Sequence, residues 1–156
     1  MTDRAALIAR YKEGPEAVHR ALAGLTDADL DHRPAPGEWT AREIVHHLAD
    51  AETRSAVRLR QLLAEDAPVI QGYDEARYAE VLHYDRPIDA SLALLTAART
   101  ATGELLDRLT DADLARSGTH TESGPYSVAT WLELYAAHCH DHAEQIRAAV
   151  ATVSEG

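Results

Sequence analysis

The sequence predicts an all-α protein, a four-helix bundle with a short extra helix between the second and third long helices. Apolar residues recur at helical spacing in four segments, whereas no segment shows the two-residue alternation of a half-buried strand. Alanine and leucine are abundant, phenylalanine is absent, and valine and isoleucine are sparse, which favours helix over sheet. Four amphipathic helices can bury their apolar stripes together in a bundle. The length of 156 residues suits one domain over residues 1–156.

The first half of the chain contains two of the predicted long helices. The first runs from Thr2, an N-cap residue, to Leu25, and Gly14-Pro15 predicts a kink or a break within it. A proline-rich loop follows. The second helix starts at Thr40, where T-A-R-E forms a capping box, and its apolar line reaches about residue 64.

The second half contains the short extra helix and the other two long helices. The short helix is predicted over Tyr73–Leu82, and Pro87 opens the third long helix, whose apolar stripe ends at Leu109. A polar loop over Ser117–Pro125 then leads to Ser127, which caps the fourth long helix.

One helix–loop–helix unit is used twice. The hexapeptide LTDADL occurs at residues 25–30 and again at 109–114. Each copy leads to a glycine, any residue, an aromatic residue and a hydroxyl residue, over Gly37–Thr40 and Gly124–Ser127, and then to a helix rich in histidine. Six identical residues in matched context favour duplication over chance. The repeat therefore predicts that helices 2 and 4 occupy equivalent positions, with their histidines able to converge.

Composition and charge exclude several classes of protein. Acidic residues outnumber basic ones by 26 to 15, and a net charge of −11 repels the phosphate backbone of nucleic acids. No apolar run is long enough for a membrane span, and the first residues lack the layout of a signal peptide. The single cysteine fits a reducing compartment. We expect a cytoplasmic protein with no nucleic-acid partner and no membrane association.

Three of the nine histidines are predicted to point into the bundle. His138 and His142 lie one helical turn apart on the apolar face of helix 4, and His47 lies on the apolar stripe of helix 2. The other six histidines are predicted to lie on the surface or in loops: His19, His32, His46, His83, His120 and His140.

Three imidazoles in one core point to a metal site. A single inward histidine is usually a hydrogen-bonded core residue, and an H-x3-H pair is weak evidence for metal on its own. Three rings buried together would leave nitrogens unpaired or charges repelling, whereas a divalent cation takes one lone pair from each neutral ring. We therefore predict that His47, His138 and His142 are metal ligands. Three protein ligands leave coordination positions open, as in catalytic sites.

Further candidates for the chemistry are less specific. Asp50, one turn beyond His47, is a candidate base or a candidate hydrogen-bond partner of a metal ligand, and the alternative is a solvated helix carboxylate. Tyr73, Arg77 and Tyr78 are candidates for lining a pocket, although aromatic residues at helical spacing more often serve packing. No H-E-x-x-H motif supplies a built-in glutamate base, and Cys139 is assigned to packing.

Two segments resemble a known family. W-T-A-R-E-I-V-H-H-L-A-D-A-E, over Trp39–Glu52, and Y-A-A-H-C-H-D-H-A-E-Q-I, over Tyr135–Ile146, are similar to the DinB/YfiT-like superfamily of bacterial metalloproteins. The lead-in over Leu25–Trp39 also fits, so the resemblance covers nearly the whole chain.

The resemblance implies a bundle of DinB/YfiT-like topology that is often a homodimer and holds a divalent metal, with zinc and nickel as the usual candidates. It also implies His47, His138 and His142 as the ligands. Relatives include proteins provisionally assigned as metal-dependent hydrolases and enzymes that transfer low-molecular-weight thiols such as bacillithiol or mycothiol. We therefore expect a metal-dependent enzyme that activates a nucleophile to attack a small-molecule substrate. The nucleophile is water if the protein is a hydrolase, and a low-molecular-weight thiol if it is an S-transferase.

Two other interpretations remain open at the level of the sequence. One is a non-catalytic, stress-related metal-binding protein, and the other is a plain helical bundle with buried histidines. The sequence contains no motif for a particular thiol cofactor, and three imidazoles suit zinc, nickel, copper and iron alike.

Overall fold

Four long helices and three short ones make up the helical part of the fold. The structure, a computed structural model, describes residues 3–152. The helices are α1 (Arg4–Leu22), α2 (Asp27–Asp31), α3 (Ala41–Ala64), α4 (Glu75–Val81), α5 (Asp89–Leu106), α6 (Asp111–Leu114) and α7 (Val128–Ala151). The predicted four-helix bundle is confirmed, with α1, α3, α5 and α7 as its long helices and α4 as the short extra helix.

The packing of the long helices places α3 and α7 against each other. Helix α1 packs mainly on α7, α3 packs mainly on α5, and α3 and α7 share a further interface. One core cluster includes Ile44, Leu95 and Ile146, and a second surrounds Trp131 and Leu59. The two helices that carry the inward histidines therefore meet inside the bundle.

Helix α1 continues unbroken through Gly14 and Pro15, so of the predicted kink or break the break is wrong. Pro15 cannot donate a hydrogen bond to the carbonyl of Tyr11, and Arg99 Nη1 donates to that carbonyl instead at 2.7 Å. Thr2, the predicted cap, lies outside the described residues. The side chain of Asp3 accepts from the backbone N–H of Ala5 at the start of the helix.

A small sheet was not predicted from the sequence. Strand β1 (Val69–Ile70) pairs in parallel with β2 (Ser117–His120), and β2 pairs antiparallel with β3 (Gly124–Ser127). The predicted polar loop is thus largely a hairpin. Strands of two to four residues are too short to show a period-two pattern, and the pairing of Val69 with Thr119 joins residues that are distant in sequence.

The internal repeat is also a repeat of local structure. Thr26 and Asp29 form a capping box at the start of α2, and Thr110 and Asp113 form the same box at the start of α6. In both copies the glycine before the next long helix, Gly37 or Gly124, has a positive φ, near +80°. The copies differ because only the second contains the hairpin. Helices α3 and α7, 24 residues each, follow the two copies.

Within residues 3–152, no helix combines the length and the apolar character that crossing a lipid bilayer requires.

Candidate metal centre

Helices α3 and α7 bring the three predicted histidines together. His47, His138 and His142 each offer one ring nitrogen, and these three atoms lie within 4.8 Å of one another. The ring centroids of His138 and His142 are 4.6 Å apart, and that of His47 is 5.6 Å and 4.8 Å from them, respectively. Within the part of the chain that the structure describes, this group contains no carboxylate and no thiol.

Burial keeps two of the rings neutral. The side chain of His47 is buried and that of His138 is half-buried. Desolvation, with a smaller contribution from the neighbouring histidines, lowers the pKa of His47 to about 3 and that of His138 to about 2. Both imidazole rings are therefore neutral at pH 7, and the neutral imidazole is the form that binds a metal ion.

The hydrogen bonds of the rings fit a cation. His142 Nδ1 lies 2.7 Å from Gln145 Oε1; this oxygen can only accept, so Nδ1 carries the proton and Nε2 keeps its lone pair. His47 Nδ1 and His138 Nδ1 are buried without a hydrogen-bond partner among the described residues. Buried polar atoms are normally paired, and a cation that takes a lone pair from each ring would relieve part of this cost.

Gln145 is a site residue that the sequence reasoning missed. It follows His142 by three residues, so one helical turn places the two side chains side by side. A ligand histidine usually donates its second ring N–H to an oxygen that orients the ring. A search for oxygen-bearing side chains one turn from each predicted ligand would have found it.

Two aromatic rings pack against the histidines. The ring centroid of Trp39 is 4.7 Å from that of His47, and the ring of Tyr135 meets that of His138 edge-on at 5.6 Å. Trp39 lies just before the cap of α3, the helix that carries His47. Tyr135 lies on α7, one turn before His138. These contacts limit the rotation of the two rings.

The carboxylate of Asp50 is hydrogen-bonded to Tyr84 and not to a histidine of the cluster. Its Oδ2 accepts a hydrogen bond of 2.6 Å from the hydroxyl of Tyr84, whose ring packs on His46 at 5.4 Å. Among the described residues, no hydrogen bond joins Asp50 to His47, so the predicted role of Asp50 in orienting that ring is not supported.

Two of the histidines that were predicted to lie on the surface or in loops are buried. His46 is fully buried: its Nε2 donates to the carbonyl of Arg86 at 2.9 Å, and its Nδ1 therefore accepts from Ser91 Oγ at 2.7 Å. The prediction is wrong because α5 covers a second face of α3, which a single apolar stripe does not reveal. His120 is buried in β2, where its ring packs against Tyr126.

The candidate pocket residues favour the packing interpretation. The rings of Tyr73 and Tyr78 contact each other at 4.6 Å, and the guanidinium of Arg54 lies 4.5 Å from the ring centroid of Tyr73. Arg77 is exposed and pairs with Glu80 on the surface of α4.

A buried ion pair ties the four long helices together and was not predicted. Arg99 Nε donates to Glu52 Oε2 at 2.8 Å, and both side chains are 1% exposed. The hydroxyl of Tyr11 donates to the other oxygen of Glu52, and Arg99 Nη2 donates to the carbonyl of Tyr135 at 2.9 Å. Glu52 follows Leu48 by one turn on the inner face of α3, which is the signal that could have located it.

Cys139 is expected to be unreactive in the folded protein. Its side chain is fully buried against α1, where a Cβ added at Gly14 would lie 2.8 Å from that of Cys139, and burial raises the pKa of the thiol to about 12. A disulfide reagent such as dithiobis-nitrobenzoate should therefore leave the native thiol unmodified at mildly alkaline pH and titrate it fully after unfolding in guanidinium chloride. Rapid modification of the native protein would show that the thiol is accessible.

The fold and this site define a four-helix-bundle protein with a candidate three-histidine metal centre between facing helices. The model of the DinB superfamily matches residues 10–146, and the chain belongs to that superfamily, as its histidine segments predict.

Individual relatives match over most of their length. An Oceanobacillus iheyensis protein, provisionally named a metal-dependent hydrolase, is 35% identical over 132 residues, which cover 85% of this chain and 77% of the relative. A Bacillus mycoides protein with the same provisional name is 33% identical over 139 residues, or 89% of this chain and 80% of the relative. Among solved structures, YfiT from Bacillus subtilis superposes with a TM-score of 0.91 at 30% identity, covering 99% of this chain and 90% of YfiT. It is described as a probable metal-dependent hydrolase with an unusual four-helix bundle topology.

Proposed function

We propose that this protein is a metal-dependent hydrolase in which His47, His138 and His142 hold one divalent cation. The observation that carries the proposal is the approach of three ring nitrogens to within 4.8 Å, with no carboxylate among them. The names of the relatives support the same class of activity. A histidine-only ligand set suits several divalent cations, and we propose zinc or nickel because the resemblance to the DinB/YfiT-like superfamily favours these two.

The residues of the chain prepare the site in three ways. Burial holds His47 and His138 neutral, so their lone pairs are available at physiological pH. Gln145 fixes the tautomer of His142. Trp39 and Tyr135 pack on the rings and restrict their orientation. A divalent cation held in this way would lower the pKa of a bound water to about 7 and would bind a thiol as its thiolate.

The nucleophile of the proposed reaction comes from outside the chain. Cys139 is buried where α7 packs on α1. Within residues 3–152, the cluster of potential metal ligands contains no cysteine. Water gives hydrolysis, and a low-molecular-weight thiol such as bacillithiol or mycothiol would give S-transfer to a small electrophile. We give hydrolysis precedence because the relatives are named for it.

Elemental analysis and a reaction screen test this proposal. Protein purified without a histidine tag should contain zinc or nickel at about one ion per chain, and the His142→Ala variant should lose it. The metal-loaded protein is then assayed for cleavage of activated esters and amides, and for consumption of electrophiles with and without added thiol. The His140→Ala variant serves as control because His140 lies on the same helix and bonds Arg10 O instead of joining the cluster.

Each outcome assigns one class. Cleavage without thiol that depends on His142 supports the hydrolase, whereas turnover only with thiol identifies an S-transferase. Stoichiometric metal without any turnover would favour the non-catalytic metal-binding protein. Equal metal content in the His142→Ala and His140→Ala variants contradicts the site itself.

A further inference from the structure

A cavity with two arginines in its wall lies on α3 and β1, outside the metal centre. Its volume is about 250 Å³, and its lining includes Arg54, Arg58 and Gln71 but no aspartate or glutamate. In a chain with 26 acidic and 15 basic residues, a cavity walled by two cations and no carboxylate departs from the overall charge balance. We call this space the arginine cavity.

Both guanidinium groups are held in place by neutral acceptors. Arg54 Nη2 and Arg58 Nη2 donate to the same backbone oxygen, that of Gln71, at 3.2 Å and 2.5 Å. Arg54 Nη1 also donates to the hydroxyl of Tyr78, and Arg58 Nη1 donates to that of Tyr135. Within residues 3–152, neither arginine forms an ion pair.

This arrangement places two like charges close together, and within residues 3–152 no carboxylate lies within ion-pair distance of either. The carboxylate of Glu122 lies nearby, against Gly72. Arg54 and Arg58 are four residues apart on one helix, a spacing at which like charges repel, and their shared acceptor brings the two groups closer still. Arg54 Nε, which can only donate, is buried without an acceptor among the described residues. An anion between the two groups relieves the repulsion, and the prior ordering of both side chains lowers the entropic cost of binding it.

The rest of the wall is partly apolar. Val57 and Val69 flank the arginines, and their side chains are 54% and 57% exposed. A ligand that covered them would remove this apolar surface from water. The wall therefore suits a ligand that combines a charged end with an apolar end.

We propose that the arginine cavity binds a small molecule that carries an oxyanion, a carboxylate or a phosphate, next to an apolar group. This site goes beyond the proposed hydrolase activity and needs no metal. Arg58 connects to the metal centre through Tyr135, whose hydroxyl it bonds and whose ring contacts His138.

Calorimetric titration with three matched probes tests the cavity. Phenylacetate and phenyl phosphate present the two oxyanions on one apolar ring, and phenylacetamide is the neutral counterpart of the first. The full chain is titrated after treatment with chelator, and again as the His138→Ala variant, so that a cation at the histidines cannot bind the probe. We expect at least one anion to bind about tenfold or more tightly than the amide, and the stronger of the two identifies the oxyanion.

Charge-removing variants locate the binding. Arg54→Gln and Arg58→Gln should each weaken binding of the anion by about 10- to 100-fold, since a hydrogen bond to a charged group is lost. Arg60→Gln makes the same change in net charge on the same helix at a residue that does not line the cavity, and should leave the affinity within about twofold.

Three results would overturn the proposal. The amide could bind as tightly as both anions, Arg60→Gln could weaken binding as much as Arg54→Gln and Arg58→Gln do, or no probe could bind. Binding that persists in the His138→Ala variant supports the cavity even if the metal centre proves inactive, so the two proposals fail separately.

Discussion

Replacing Arg99 with methionine is expected to lower the free energy of unfolding by about 3–5 kcal/mol. The change leaves the carboxylate of Glu52 buried at 1% exposure without its cation. It also removes the donors to two backbone carbonyls, those of Tyr11 and Tyr135, which belong to α1 and α7. Unpaired buried charges and carbonyls both carry a desolvation cost that the folded state must bear.

Urea unfolding followed by far-ultraviolet circular dichroism measures this effect. Arg77→Ala is the matched control because it breaks an exposed ion pair with Glu80, which contributes only about 0–1 kcal/mol. The double variant Arg99→Met/Glu52→Gln removes both charges and should be more stable than Arg99→Met alone. A single variant as stable as the wild type would show that the buried pair contributes nothing to folding.

Adding zinc or nickel is expected to raise the melting temperature of the wild type by about 5–10 °C. A ligand that binds only the folded state at a hundredfold excess over its dissociation constant stabilises by about 2.7 kcal/mol, and each kcal/mol shifts a chain of this size by about 2–4 °C. His47, His138 and His142 can hold a cation together only when α3 and α7 are packed. Chelator should reverse the shift.

Differential scanning calorimetry with and without metal measures the shift in each variant. In His138→Ala the metal-induced shift should fall to near zero, whereas His140→Ala should keep it because His140 bonds Arg10 O away from the cluster. The comparison uses the shift and not the melting temperature itself, so a general loss of stability in either variant does not affect the result. An equal shift in both variants contradicts the three-histidine assignment.

The buried ion pair and the three-histidine cluster share one segment of α7. Arg99 bonds the carbonyl of Tyr135, and the ring of Tyr135 contacts His138 one turn further on. A site is held accurately when the elements beneath it are rigid. The buried pair of Arg99 and Glu52 therefore helps to fix the position of α7 near His138 and His142.

Local sequence was sufficient for the long helices and for the choice of the three inward histidines. The capping boxes at Thr40 and in the two LTDADL copies form between residues three apart, and such bonds depend on neighbours in the chain alone. The same helical periodicity placed His47, His138 and His142 on inward faces. The duplicated unit then indicated that the two histidine-bearing helices occupy equivalent positions, so convergence followed without coordinates.

Apart from Gln145, one turn from His142, the features that the sequence left undetermined depend on residues distant in the chain. His46 is buried because α5 covers a second face of α3. The carbonyl of Tyr11, to which Pro15 cannot donate, accepts a hydrogen bond from Arg99 on α5. The pairing of β1 with β2 and the partner of Asp50 are decided in the same way. The sequence by itself determined which faces of the helices are apolar and which histidines they carry. Tertiary structure decided which polar groups find partners, because the burial and pairing of a polar group depend on every element packed around it.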